Sequence, residues 1–303
     1  MPLQKDKIMM ETGVMEGTMY QTIVVGYDES ISSKAALTEA SHWVKRHGGK
    51  VVLVHAVFFD EEEFGIAPTQ LDKRLKLGEK VCYQAKETIA SEFGIEALSL
   101  LCEGDPPEVI VDIAREKKAD LIVMGTYGRK GLNRILMGSA TSQVIVKSGV
   151  DVLVVKRECS ECTGSYRSVL LAYDGSDFSR NALSRACELS KLDEAEITAL
   201  YVIPRYEEMI GFLKTSSIKD SMMQEAQKII DGAKKLAAGH DINIKTMIED
   251  GHAADSIIAT AARLKNDLII IGSYGWRGVN KAIMGSTAER VLIGASCPIL
   301  VVR

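Results

Sequence analysis

The sequence predicts an α/β protein made of two tandem doubly wound domains, each with a five-stranded parallel sheet, and three observations carry that prediction. From Gln21 onward, apolar runs of strand length alternate with stretches of helical periodicity. Strand runs such as Val51–Val57, VVLVHAV, are apolar without alternation, as expected of strands covered on both faces. The stretch Ala119–Lys156 then returns as Asn266–Arg303: at a constant offset of 147, fifteen of the thirty-eight positions are identical. A repeat of that length is a duplicated domain rather than a solenoid unit of about 20–50 residues.

Taken in order, the chain opens with a polar, irregular segment carrying four of its twelve methionines between Met1 and Gly17, which reads as a tail. Thr22–Val25 is a short strand leading to Gly26-Tyr27-Asp28. Ser32 or Ser33 is placed to cap a helix whose apolar face uses Ala36, Leu37, Ala40 and Val44, and Gly48-Gly49 ends it. After the strand Val51–Val57 comes a connector with the acidic run Asp60–Glu63, then a helix over about Leu71–Phe93 and a strand over Ala97–Cys102. Pro107 suits the first turn of a helix bearing Val109, Ile110, Ile113 and Ala114. Leu121–Met124, a glycine-punctuated loop, a further helix and the strand Val152–Val155 close the first half.

The second half repeats this order with strands at Val169–Ala172, Ile197–Val202 and Ile242–Ile248, helices over about Phe178–Ser190 and Lys219–Ala238, and a turn and helix within Gly251–Leu264. Met223, Ala226, Ile229, Ile230, Ala233 and Leu236 form a stripe expected to face a core. The domain expectation is a tail at 1–19, a first domain at 20–157, a linker at 158–166 and a second domain at 167–303.

A net charge of −4 and no run of Lys or Arg leave nucleic acid a poor partner. No apolar run reaches the eighteen or so residues of a membrane span, so the chain reads as cytoplasmic with no membrane partner. Cys159-Ser-Glu-Cys162 has three readings: inert linker thiols, a reversible disulfide, or half of a metal site, of which the first is the commonest. The five histidines are dispersed, and none is expected to act as a base or ligand.

Several chemistries are excluded by motif. There is no GxxxxGK[ST] phosphate loop, no GxGxxG after either first strand, no GxSxG elbow and no HExxH. What remains is Gly125-x2-Gly128-x9-Gly138-Ser139 and its copy Gly272-x2-Gly275-x9-Gly285-Ser286, each preceded by an early aspartate, Asp28 or Asp174. A glycine-bearing loop that opens a helix offers unpaired backbone N–H groups and a favourable dipole to an anion, with no Cβ in the way.

This arrangement resembles the universal stress protein family, over both halves from about Tyr20 to Arg303, in its ATP-binding branch. The resemblance implies Rossmann-like domains with strand order 3-2-1-4-5 and a stress-response regulatory role in which an adenine nucleotide, ATP or AMP or ADP with accompanying Mg2+, acts as a switch. It places Gly128, Arg129, Gly138, Ser139 and Ala140 at phosphate, Gly125 near ribose, and Gly26, Asp28 and Ala56 at the base and sugar. The matching residues of the second half are Gly275, Gly285, Ser286 and Thr287, then Gly272, then Ala172, Asp174 and Val202. No catalytic residue and no metal ligand is expected; the alternatives are a slow ATP hydrolase and a nucleotide-free interaction module. The family habit of pairing through the last strand implies an intramolecular pseudo-dimer through Val152–Val155 and Ile299–Val302, with a homodimer as further association.

The two halves are expected to bind unequally. Arg129-Lys130 becomes Trp276-Arg277, which leaves the first loop one more cation, and Thr141 becomes Ala288, which is expected to remove a hydroxyl from the second site. Trp276 can stack on a base or pack against the other half. Of the two sites, the second is the one expected to fail first.

Overall fold

The structure, a computed structural model, describes residues 19–58, 68–126, 137–156, 159–204, 216–274 and 284–303, with side chains described except at 68–70, 159 and 216–218. In the first half β1 (Thr22–Gly26), α1 (Ile31–His47), β2 (Lys50–Val57), α2 (Pro68–Phe93), β3 (Ala97–Glu103), α3 (Pro106–Glu116), β4 (Leu121–Gly125), α4 (Ser139–Lys147) and β5 (Asp151–Val155) follow in turn. The second half repeats them as β6 (Ser168–Ala172), α5 (Asp177–Asp193), β7 (Glu196–Pro204), α6 (Ser216–Gly239), β8 (Lys245–Gly251), α7 (Ala253–Leu264), β9 (Leu268–Gly272), α8 (Ser286–Gly294) and β10 (Ile299–Val302). These strands form one ten-stranded sheet in the order β3-β2-β1-β4-β5-β10-β9-β6-β7-β8. Each half is therefore a parallel 3-2-1-4-5 sheet, and β5 and β10 join the two in antiparallel register, Leu153 opposite Leu300.

Alternate strand residues feed two cores. Ile23 and Val25 join α1, α2, α5 and α6 on one face, whereas Val24 joins α3, α4, α7 and α8 on the other. Among the described residues three layers follow from that alternation: four helices, the sheet, four helices. The expected apolar face of α1 is buried at Ala36, Leu37, Ala40 and Val44.

Three local expectations need correction. The cap of α1 is Ser30, whose Oγ accepts the N–H of Ser33; Ser32 and Ser33 lie inside the helix. Strand β8 starts at Lys245 rather than Ile242, because the N–H of Ile242 is spent closing α6 on the carbonyl of Ala237. Of the α6 stripe, Ala226, Ile230 and Ala233 are buried, but Met223 is 41% exposed, one turn short of the core.

Where the halves meet, two buried carboxylates, Asp151 and Asp193, have polar neighbours. Asp151, at the start of β5, accepts from the Tyr20 hydroxyl at 2.8 Å, Arg185 Nε at 2.8 Å and the Arg303 N–H at 3.1 Å. Burial first, and then the charge of Asp151, push the Tyr20 hydroxyl well above the ordinary tyrosine range. Across Trp43, whose ring lies 5.7 Å from that of Tyr20 and 4.5 Å from that of His47, His47 Nε2 lies 3.2 Å from Asp193 Oδ1, both side chains being almost fully enclosed. Burial would raise the Asp193 carboxyl, but His47 and the backbone N–H of Tyr166 outweigh it and hold it low. The connector packs back on α1: Cys162 is buried and its thiol donates to the Ala35 carbonyl at 3.3 Å. Cys162 carries no disulfide and serves as a small packing residue; the Cys159 side chain lies outside the described residues.

Candidate functional site

Because the strands of each half are parallel, their carboxyl ends form a crest where chain leaves the sheet. Gly26 ends β1, Gly125 ends β4 beside it, and Ala56 sits near the end of β2 on the other flank. In the second half Ala172, Gly272 and Val202 take these places on β6, β9 and β7. The antiparallel joint sends the two crests to opposite edges of the sheet.

The early aspartates build the heads of α1 and α5. Asp28 Oδ1 accepts the N–H of Ser30 at 3.1 Å, and Asp174 Oδ1 accepts that of Ser176 at 3.0 Å. The residue between aspartate and cap has positive φ in both halves, 62° at Glu29 and 79° at Gly175, and only the second half uses glycine to relieve it. His55, buried on β2, donates through Nδ1 to the Tyr27 carbonyl at 2.7 Å, a structural bond that holds the crest.

The glycines ending β4 and β9 answer first to packing. A Cβ on Gly125 would stand 2.5 Å from the Ser32 carbonyl carbon, and one on Gly272 would stand 2.8 Å from Phe178 Cβ, so the heads of α1 and α5 pass directly over these strand ends. Their absent side chains are required whether or not a ribose lies above them.

The loop that follows leaves and returns at one point. The N–H of Gly138 donates to the Thr126 carbonyl at 2.8 Å, and that of Gly285 to the Ser273 carbonyl at 3.5 Å. Between them, Gly128, Arg129, Lys130, Gly275, Trp276 and Arg277 lie outside the described residues. Gly138 and Gly285 then cap α4 and α8 with ordinary extended backbone, φ −59° and −62°, and neither helix has a side-chain cap bond. What glycine contributes here is the missing side chain, so no cap side chain takes up a first-turn N–H. Ser139 and Ser286 stand exposed at those heads, with Ala140 and Thr287 half-buried beside them.

Thr141 differs from its expected role. Its hydroxyl is buried and donates to the Gly125 carbonyl at 2.8 Å, pinning α4 to β4 instead of facing a ligand. Its replacement by the buried Ala288 therefore takes a strut from the second half, not a ligand contact.

Clefts border both crests. In the second half a cleft of about 140 Å3 is lined by Ser286, Thr287, His252, Ala253 and Arg290, the last paired with Asp255 at 2.7 Å. In the first, a larger cleft of about 400 Å3 runs from Tyr27 and Glu29 to Lys34, Tyr83 and Thr88, between the crest and α2. No three His, Cys, Asp or Glu side chains gather as metal ligands among the described residues.

The universal stress protein family model matches residues 19–156 and again 165–303. The chain belongs to the universal stress protein family. Relatives agree on both the single and the double form. A universal stress protein of Methanocaldococcus jannaschii is 33% identical over 141 residues, covering 46% of this chain and 82% of its own. A universal stress protein of Mycobacterium tuberculosis is 23% identical over 291 residues, covering 93% of this chain and 96% of its own. The crystal structure of a universal stress protein from Archaeoglobus fulgidus shares the fold with a TM-score of 0.71 at 22% identity, over 94% of this chain and 97% of that one. This universal stress protein is thus a tandem one, and no helix among its described residues is long and apolar enough to cross a membrane.

Two residues of consequence were missed by the sequence reading. Lys156, just past β5, donates through Nζ to the carbonyls of Leu292 and Ile293 at 2.7 and 2.8 Å, at the tail of α8. Arg303, just past β10, donates through Nη2 to the carbonyls of Ile145 and Val146, at the tail of α4. The signal was in the alignment: at the offset of 147, Lys156 falls on Arg303, and Ile145-Val146 on Leu292-Ile293.

Proposed function

We propose that the chain is a cytoplasmic, ATP-binding regulator of the stress response, a binding switch rather than a catalyst, with one adenine-nucleotide site at each crest. The domains are taken as 20–157 and 167–303, paired within one chain through β5 and β10 as an internal dimer. One observation carries the reading: at both crests the strand–loop–helix passage ends in a helix whose first turn has no side-chain cap and presents an exposed serine. Such a helix head attracts phosphate through unpaired N–H groups and the positive end of its dipole. Gly138, Ser139, Ala140, Gly285, Ser286 and Thr287 are the proposed phosphate contacts, completed by Gly128, Arg129 and Gly275 of the loops. Gly26, Asp28 and Ala56, with Ala172, Asp174 and Val202, are the proposed walls of the base and sugar pocket, and Gly125 and Gly272 its floor.

Magnesium, in this reading, arrives with the phosphates, which supply most of its oxygen ligands; the exposed hydroxyls of Ser139 and Ser286 are of the right chemistry to join them. The early aspartates each spend a carboxylate oxygen on the head of α1 or α5, an arrangement that serves binding more directly than water activation.

The test is direct. Protein purified gently and then denatured should release adenine nucleotide, identified by absorbance and mass spectrometry. Protein that releases none and binds no added ATP overturns the proposal, and sustained turnover of ATP would move it to the hydrolase. A Gly138→Val, Gly285→Val double substitution should abolish binding; undiminished ATP affinity would remove these helix heads from the site.

A further inference from the structure

Each helix that opens at one of the proposed sites closes on a residue of the opposite half. Helix α4 has nine residues, so it runs about 13 Å from its head at the first crest to its tail at the opposite edge of the sheet. The antiparallel β5–β10 joint makes that edge the crest side of the second half. There Arg303, reached directly from β10, donates to the carbonyls of Ile145 and Val146. The mirror arrangement has Lys156, reached directly from β5, donating to Leu292 and Ile293 at the tail of α8. The last four carbonyls of a helix have no partner within it, and a cation at that end also meets the negative pole of the dipole.

Arg303 does more than cap. Its guanidinium lies over the Tyr274 ring, 5.6 Å from its centroid. Tyr274 follows Ser273, whose N–H donates to the Val302 carbonyl and whose own carbonyl accepts the N–H of Gly285, the cap of α8. The tail of the first site's helix and the mouth of the second site are therefore held by one side chain.

We propose that Arg303 and Lys156 are cross-domain positioning residues, each fixing from one half the helix whose head forms the nucleotide site of the other. The proposal rests on the nucleotide reading for the identity of the ligand, but not for the contact itself. Its consequence is that neither site is complete within its own half. Because the residue that steadies α4 also touches the mouth of the second site, occupancy of the two sites is thermodynamically linked, equally in both directions.

The experiment separates the halves. Ser139→Glu and Ser286→Glu each place a carboxylate where phosphate is proposed to sit, at a helix start that tolerates acidic residues, and so silence one site at a time. With the first site silenced, Lys156→Met should weaken binding of labelled ATP by roughly three- to tenfold. With the second silenced, Lys156→Met should leave affinity within about twofold and Arg303→Met should weaken it instead. Lys156→Arg should restore binding. The readout that needs no nucleotide is amide hydrogen exchange: Lys156→Met should speed exchange in 286–294 but not in 139–147, and Arg303→Met should speed it most in 139–147, with a smaller rise at the head of α8 through Tyr274. Equal losses at both sites, equal exchange in both helices, or no change in either overturns the inference. Failure of the unaltered protein to bind ATP, with the crossed exchange pattern intact, overturns the nucleotide reading and leaves the positioning contacts standing.

Discussion

Helices α1 and α5 occupy equivalent places in the two halves, each seventeen residues long, and their last residues, His47 and Asp193, meet. At the offset of 146 that relates these helices, His47 and Asp193 are the same position. In a dimer of identical subunits, a residue beside the two-fold axis faces its own copy, so a charge there faces a like charge. A single chain carrying both copies escapes that constraint, and here the position has become imidazole on one side and carboxylate on the other. The same freedom is visible at β5 and β10: Asp151 binds three donors, whereas its counterpart at the offset of 147 is Pro298, which has no side-chain polar atom. Duplication preserved the backbone and released the side chains near the axis to become complementary.

The most severe way to break this comparison is to restore the symmetry. His47→Asp would set two buried carboxylates together and should cost about 3–5 kcal/mol in denaturant unfolding. The double exchange His47→Asp, Asp193→His should recover more than half of that loss, since complementarity, not the order of the residues, is what matters; no recovery would refute the pairing.

Next in size come the glycines under the helix heads. Gly125→Ala drives a Cβ to 2.5 Å from the backbone of α1 and should cost about 2–3 kcal/mol, whereas Gly272→Ala brings one to 2.8 Å from Phe178 Cβ and 2.9 Å from its carbonyl carbon, a looser clash that should cost about 1–2 kcal/mol. Equal losses would show that the two heads yield equally. Smaller still, Thr141→Ala removes the strut to the Gly125 carbonyl and should lower stability by about 1–2 kcal/mol. Ser142→Ala, one residue on, should have a lesser effect, because its hydroxyl shares the Gly138 carbonyl with its own N–H.

The finest comparison is one of pH. Burial lowers the Lys156 ammonium from 10.5 to about 8, while the nearby Cys297 works the other way. The folded chain gives up this proton before the unfolded chain does, so between pH 8 and 10.5 the unfolded state holds more protons and stability rises with pH. Below pH 8 that contribution is absent. Asp193 acts at the acid end: its carboxyl is held below 3.8, so its contribution is present above that value and is lost as pH falls through the folded one. Unfolding measured across both windows should show the alkaline rise flattened in Lys156→Met and the acid loss reduced in Asp193→Asn.

Much of the fold was legible because its signals are local. Strand and helix periods repeat every two and roughly every 3.6 residues, so β2, β4 and the buried faces of α1 and α6 could be read from a few neighbouring positions. The cap of α1 was misplaced by two or three residues because five hydroxyl or carboxylate groups crowd Asp28–Ser33, and only the backbone turn at Glu29 selects Ser30. The helix heads at Ser139 and Ser286 were visible through the duplicated glycines, which mark a backbone requirement wherever they fall.

What the sequence by itself determined was the duplication, the alternation of strand and helix, and the two glycine-led helix starts, all properties of chain segments a few residues long or of one segment compared with another. Tertiary structure alone decided that Thr141 is a strut, that Gly125 yields to α1, and that Lys156, Arg303, His47 and Asp193 look across the joint. The physical reason is separation along the chain: these partners stand up to 158 residues apart and meet only because β5 and β10 pair antiparallel, which brings the crest of each half to the base of the other.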